Sequence, residues 1–164
     1  MKMEYTAQVL RGWPNDGALE RVEVIKSTTA LSGGGSGLKN GDVVVKQSDG
    51  TVDKVGTSAA GNVGLVIRGD ADSSSVAAAG NRAVVLWSNY IVQVTNSIVG
   101  GGGGYNTTSL PTAWAPGVAV TGGGTSATGK FNTTTATDST VIGYCLNVIA
   151  ASNTESASVV ILVK

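Results

Sequence analysis

No window of a dozen residues in this chain carries apolar side chains at i, i+3, i+4 and i+7 without a glycine interrupting it. An amphipathic helix needs that spacing, so a helix-built core is not expected. The chain offers instead short runs rich in Val, Ile and Thr, bounded by Gly, Asn, Asp or Ser. Such runs lie at Tyr5–Leu10, Arg21–Ser27, Asp42–Gln47, Val52–Lys54, Gly64–Arg68, Arg82–Trp87, Ile91–Thr95, Val118–Thr121, Gly129–Asn132, Val141–Asn147 and Ser158–Val163. DSSSVAAAGNR, Asp72 to Arg82, has room for one helical turn capped by Asp72 or Ser73.

The turn chemistry agrees with strands. SDG at Ser48–Gly50 and SN at Ser88–Asn89 have hairpin composition and length. In NYIVQVTN, Ile91 and Gln93 fall on one face and Val92 and Val94 on the other. Short strands with turns this frequent predict an all-β sandwich or barrel.

The strand pattern is written twice. Gly41 to Trp87 aligns with Gly117 to Val163: GDVVV beside GVAVT, SDGTVDKV beside TSATGKFN, NVGLVIRG beside VIGYCLNV, and RAVVLW beside SVVILV. The offset is 76 residues at the ends and 79 in the middle. A glycine inside a strand marks a bulge or a close backbone approach, so Gly64 and Gly143 are expected to be structural, as are Gly41 and Gly117 ahead of the first strand of each unit. The predicted organisation is an N-terminal arm or strand segment with a glycine-rich hinge (1–39), a β-module (40–99), a glycine-rich loop (100–116) and a second β-module packed on the first (117–164).

Charge is scarce and unevenly placed. Charged residues make up 13% of the chain, about half the usual share of about 25%. Residues 1–82 hold 18 of the 22, and residues 83–164 hold only Lys130, Asp138, Glu155 and Lys164. An ordinary solvated surface carries more. The second half therefore either meets another protein or stays soluble through Ser, Thr, Asn and Gly. Formal net charge is zero and no Lys/Arg cluster exists, so no nucleic-acid partner is expected. The first residues hold no apolar run long enough for a signal peptide. No stretch approaches the roughly 20 apolar residues of a membrane span.

Residues that do chemistry are missing. With no histidine, the Ser-His-Asp triad and the H-E-x-x-H zinc site are excluded. Cys145, in the apolar run VIGYCLNVIA, reads as a small buried hydrophobe. Asp70 and Asp72 form a D-x-D pair but lack the further oxygens of a calcium loop, which favours a solvated turn. Asp42, Asp49 and Asp53 share a hairpin with Lys46 and Lys54, as surface ion pairs do. The run Gly100–Gly104 is followed by Tyr-Asn-Thr-Thr and no predicted helix, unlike a phosphate loop. The expectation is a protein that is not an enzyme and uses no cofactor or metal.

The order GD-VVV, SDGTVDKV, VGLVI, AVVLW resembles the small β-barrel modules of tailed-phage head decoration, or capsid cement, proteins. The resemblance is carried by Gly41, Asp42, Val43–Val45, Asp49, Gly50, Val63–Ile67 and Ala83–Leu86, with a weaker second copy in Gly117–Val120, Ile142–Leu146 and Val159–Leu162. It covers most of residues 40–164. It implies a virion structural role: binding the outer surface of the capsid, with the major capsid protein as partner, stapling neighbouring subunits against internal pressure. It also implies a homo-oligomer, a trimer by preference, assembled in the host cytoplasm, and suits residues 1–39 as an arm reaching the shell.

Aromatic residues supply candidate anchors, because Trp is enriched at protein interfaces. Trp13 and Trp114, both in loops, are the candidates for a capsid or self-interface, with Tyr5, Val9 and Leu10 of the arm. The alternative reading is a carbohydrate-binding or receptor-binding β-sandwich of a fibre or adhesin, with Tyr90, Tyr105 and Trp114 stacking on sugar rings.

Overall fold

The computed structural model describes residues 7–11, 20–24, 38, 41–69, 82–95, 113–124, 127–135, 137–152 and 157–164. They form an all-β fold of eleven strands: β1 (Ala7–Arg11), β2 (Glu20–Val24), β3 (Val43–Lys46), β4 (Val52–Lys54), β5 (Val63–Gly69), β6 (Arg82–Leu86), β7 (Tyr90–Thr95), β8 (Ala119–Gly122), β9 (Phe131–Thr134), β10 (Gly143–Ile149) and β11 (Ser158–Val163). Each falls on a run expected from the sequence. The first sheet has the order β2-β6-β5-β3-β4 and the second β1-β7-β11-β10-β8-β9, with every pairing among these strands antiparallel.

The duplication is visible in this topology. The order β2-β6-β5-β3-β4 repeats as β7-β11-β10-β8-β9, and β1 is an addition at the edge of the second copy. Detail repeats too. Gly41 and Gly117 hold φ near 91° and 87°, a left-handed conformation that admits glycine without strain. The Gly41 amide donates to the Val66 carbonyl at 2.7 Å and the Val66 amide to Asp42 at 2.9 Å; the Gly117 amide donates to Cys145 at 2.8 Å and the Cys145 amide to Val118 at 2.9 Å. The register of β5 slips between Val66 and Arg68, and that of β10 between Cys145 and Asn147. Ile67 and Leu146 are thus equivalent bulge residues, 79 apart. The structural repeat starts one strand earlier than the aligned sequence, at β2 and β7.

Each sheet has a glycine face, bearing Gly64 or Gly143, and a leucine face, bearing Leu86 or Leu162. The core joins unlike faces. Val43, Val63, Leu65 and Leu86 from the leucine face of the first sheet pack on Val120, Cys145, Val159, Ile161 and Val163 from the glycine face of the second. Tyr90, Val92, Val94, Trp114, Phe131 and Ile142 complete that cluster. Burying a side chain such as Phe131 or Leu65 fully is worth about 1.5–3 kcal/mol. The repeats are therefore stacked in the same sense, not related by a two-fold that would bring like faces together.

One side of the sandwich is sewn shut by main chain. The Val43 amide donates to the Gly129 carbonyl at 3.0 Å, Gly129 to Val55 at 2.8 Å, and Ala60 to Gly122 at 2.9 Å. Sequence composition suggested a hairpin at Ser88–Asn89, and here the structure differs. β6 pairs with β2 and β5, whereas β7 pairs with β1 and β11, so this turn is a corner between sheets. Asn89, at φ 57°, turns the chain, and Leu86 and Tyr90 on either side both enter the core. The Ser48–Gly50 turn does close a hairpin: Asp49 Oδ1 accepts from the Thr51 amide at 2.9 Å and from its hydroxyl at 2.6 Å.

Candidate interaction surfaces

Stacking unlike faces turns two unlike faces away from the shared core. The glycine face of the first sheet carries Val44, Val52, Val66, Ala83 and Val85, all buried, with Leu38 packed among them and Trp87 beside them. The Trp87 indole lies over Gly64, with Cε3 3.0 Å from where a side-chain Cβ would stand. Polar groups gather at the rim. Glu23, its side chain 7% exposed, accepts from Trp87 Nε1 at 3.1 Å and is ion-paired with Lys46. With Arg21 and Asn62 these side chains line a shallow cavity of about 200 Å³. Register places Glu23 opposite Ala83 and Val94 opposite Val159, so Glu23 stands where the second repeat has core Val94. Glu23 is itself buried, and its charge is tolerated because the Lys46 ammonium and the Trp87 indole N–H satisfy it.

The leucine face of the second sheet is different. One row runs from Arg11 through Ile91, Leu162 and Tyr144 to Ala119, and the next from Gln8 through Gln93 and Val160 to Asn147. Ile91, Gln93, Tyr144, Val160 and Leu162 are all half-buried. β7 to β11 contain no Asp, Glu, Lys or Arg, whereas β2 to β6 contain Glu20, Arg21, Glu23, Lys46, Asp53, Lys54, Arg68 and Arg82. Gln93 Nε2 donates to Ser158 Oγ at 2.9 Å, and Lys164 Nζ sits 4.7 Å from the Tyr144 ring centre at the margin. Leu10 and Leu146, at the bulges of β1 and β10, are 46% and 44% exposed. This surface can bury apolar area, with Arg11 and Lys164 bringing positive charge to its margins.

The residues singled out from sequence divide as follows. Tyr5 and Trp13 lie outside the described residues, as do Tyr105, Asp70, Asp72, the Ser32–Gly37 and Gly100–Gly104 tracts and most of the DSSSVAAAGNR stretch. Val9 sits on β1 opposite Val92, and Leu10 follows it at an exposed position. Trp114 is a correction: it is 5% exposed and part of the core, so it is not a surface anchor. Tyr90 is likewise fully buried, which removes two of the three rings named for sugar stacking. Gly41 and Gly117 serve their positive φ, whereas Gly64 and Gly143 serve close approach: a Cβ on Gly64 would strike the Val85 side chain, and one on Gly143 the Leu162 carbonyl. The bulges come three residues later.

Among the pairs expected on the first hairpin, Lys54 meets Asp42 at 3.3 Å, but Lys46 turns to Glu23 instead. Cys145 is buried, and burial pushes its thiol up, away from the reactive thiolate. The face with Ile91, Tyr144, Val160 and Leu162 was not singled out from sequence. Its signal was present in SVVILV, which is apolar at both odd and even positions, the mark of a strand with two covered faces. No protein-family model, no curated protein and no solved structure matches the chain significantly, so the functional reading rests on these surfaces.

Proposed function

We propose that this chain is a structural protein of a phage particle that attaches to the outside of the capsid and stabilises it. The observation that carries the reading is the pairing of a duplicated, main-chain-sewn β body with a second repeat whose five strands, β7 to β11, carry no charged residue. Such a body works by burying surface, and many copies on one shell multiply a modest affinity into a firm attachment. The partner is the major capsid protein, engaged by the N-terminal region that ends in β1 and the exposed Leu10. No catalysis is part of the role.

The test is sedimentation of the purified chain with purified heads of the phage that carries it. Stoichiometric attachment of the full-length chain, weakened by Leu10→Asp at the exposed bulge of β1, supports the reading. A full-length folded chain that stays in the supernatant contradicts it. With Tyr90 and Trp114 in the core, the glycan-binding alternative falls back on the cavity beside Trp87. Glycan binding abolished by Trp87→Ala would favour that alternative.

A further inference from the structure

We propose that Lys46 and Asn62 join in an isopeptide bond, with Glu23 as the group that moves the protons. All three line the cavity of about 200 Å³ beside Trp87. Lys46 is the last residue of β3, and Asn62 precedes the first residue of β5. Val45 lies opposite Val63, so the next pair outward is Lys46 and Asn62, on one face of the sheet. Side chains so placed have Cβ atoms about 4.5–5.5 Å apart, a gap that the lysine stem spans to reach a carboxamide carbon. Lys46 Nζ already donates to Glu23. The Glu23 carboxylate is buried, and its other oxygen accepts from Trp87 Nε1 at 3.1 Å. The set is not inherited from the duplication. Matching registers put Lys46, Asn62 and Trp87 where the second repeat has Gly122, Val141 and Val163, and Glu23 where it has Val94.

The chemistry balances with the groups in the cavity. Glu23 takes a proton from the Lys46 ammonium, and the freed amine attacks Asn62 Cγ. The indole beside Glu23 shields the reacting atoms from water. Arg21, on the same cavity, brings positive charge toward the carbonyl oxygen as it becomes an oxyanion. The Nζ–Cγ bond forms and the Cγ–Nδ2 bond breaks. Two protons of the ammonium pass by way of Glu23 to Nδ2, which departs as ammonium and takes the positive charge with it. Glu23 ends as the carboxylate it began as, and nothing is oxidised or reduced. One amide replaces another, so no activated reagent is needed. Asn62 is exposed, and the escape of ammonium into solvent drives the step forward. Glu23 is not the acyl donor, because condensing a carboxylate with an amine expels water into water and needs activation. The product ties the end of β3 to the start of β5. It closes the loop that holds β4 and so restricts the unfolded chain, as a covalent crosslink does.

The experiment is intact-mass spectrometry of the full-length chain, followed by trypsin digestion and fragmentation. The expected mass is one ammonia below the 16.4 kDa of the sequence. Cleavage at Lys39, Lys54 and Arg68 should release residues 40–54 and 55–68 as one branched species joined at Lys46 and Asn62. Lys46→Arg keeps a positive charge for Glu23 but removes the nucleophile, so that chain is expected at its full sequence mass with an unchanged β-type circular dichroism spectrum. Glu23→Gln keeps an acceptor for the indole and should slow bond formation by about a hundredfold or more. If Glu23→Gln does not fold, Lys46→Arg alone decides. A wild type at full sequence mass overturns the assignment, as does a Lys46→Arg chain that still lacks an ammonia. Loss of water in place of ammonia overturns it too. So does recovery of 40–54 and 55–68 as separate peptides, which a succinimide at Asn40–Gly41 would give. The result is independent of the capsid reading, because the bond forms or fails to form in the chain alone, without heads.

Discussion

Gly64 and Gly143 are the same residue of two repeats, yet Gly64 lies under the Trp87 indole in a second, smaller cluster and Gly143 lies in the wall of the main core. That pair captures how the molecule is built: one sheet design used twice, stacked in the same sense, so that equivalent positions meet different surroundings.

Alanine at these two glycines should therefore cost different amounts. At Gly64 the added methyl meets the Val85 and Trp87 side chains, which can shift. At Gly143 it meets the Leu162 carbonyl, which the ladder holds in place. Gly64→Ala is expected to lose about 1–3 kcal/mol, the usual cost of overpacking, and Gly143→Ala more than Gly64→Ala. Urea melts followed by circular dichroism measure both. Equal losses would contradict the placement.

Glu23 is the acceptor for both Trp87 Nε1 and Lys46 Nζ. Glu23→Ala strands a part-buried indole N–H and an ammonium, with an expected loss of about 1–3 kcal/mol. Glu23→Gln keeps an acceptor for the indole and should lose less. The check is the ordering of the two variants in denaturant midpoint.

The Tyr90 hydroxyl is buried without a hydrogen-bond partner among the described residues. Burial raises its pKa, so the folded chain holds the proton after the unfolded chain has released it. The stability tied to this proton is complete below the ordinary tyrosine value of about 10 and falls as pH rises above it. Tyr90→Phe should match or exceed wild-type stability at neutral pH. It should also lose less than wild type in melts run at increasingly alkaline pH.

Asp138 behaves in the opposite sense. Its carboxylate accepts from the Thr140 amide and hydroxyl, each at 2.8 Å, and from the Thr134 hydroxyl at 2.9 Å. These bonds lower its pKa, the Thr140 amide most. The stability they lend is present above the ordinary carboxylate range and disappears as pH falls through the lowered folded value. Asp138→Asn should flatten the acid limb of melting temperature against pH, and an unchanged limb would contradict this role.

Much of the fold was legible in the sequence because strand and turn chemistry are local. Val52–Lys54 and Ser158–Val163 were bounded by their own residues, and the offset between copies recurs in the paired bulges at Ile67 and Leu146. What was not legible depends on how sheets meet. The alternation in NYIVQVTN gives two faces but cannot say which one is inside. Ser88–Asn89 has the residues of a hairpin, and only the partners of β6 and β7 make it a corner. Trp114 sits in a loop-like sequence, and its burial is decided by side chains such as Phe131 and Ile142 that are distant in the chain. The leucine face of the second sheet was hidden for the same reason: its turning away from the shared core follows from the stacking sense.

The role proposed for this β body is adhesion to a larger shell. Its most direct measurement is the number of full-length chains that co-sediment per purified phage head as concentration is raised. The account predicts saturation at a fixed stoichiometry and heads that resist heat better when coated. Heads that pull down no chain, or bind it without a plateau and without added heat resistance, would contradict it.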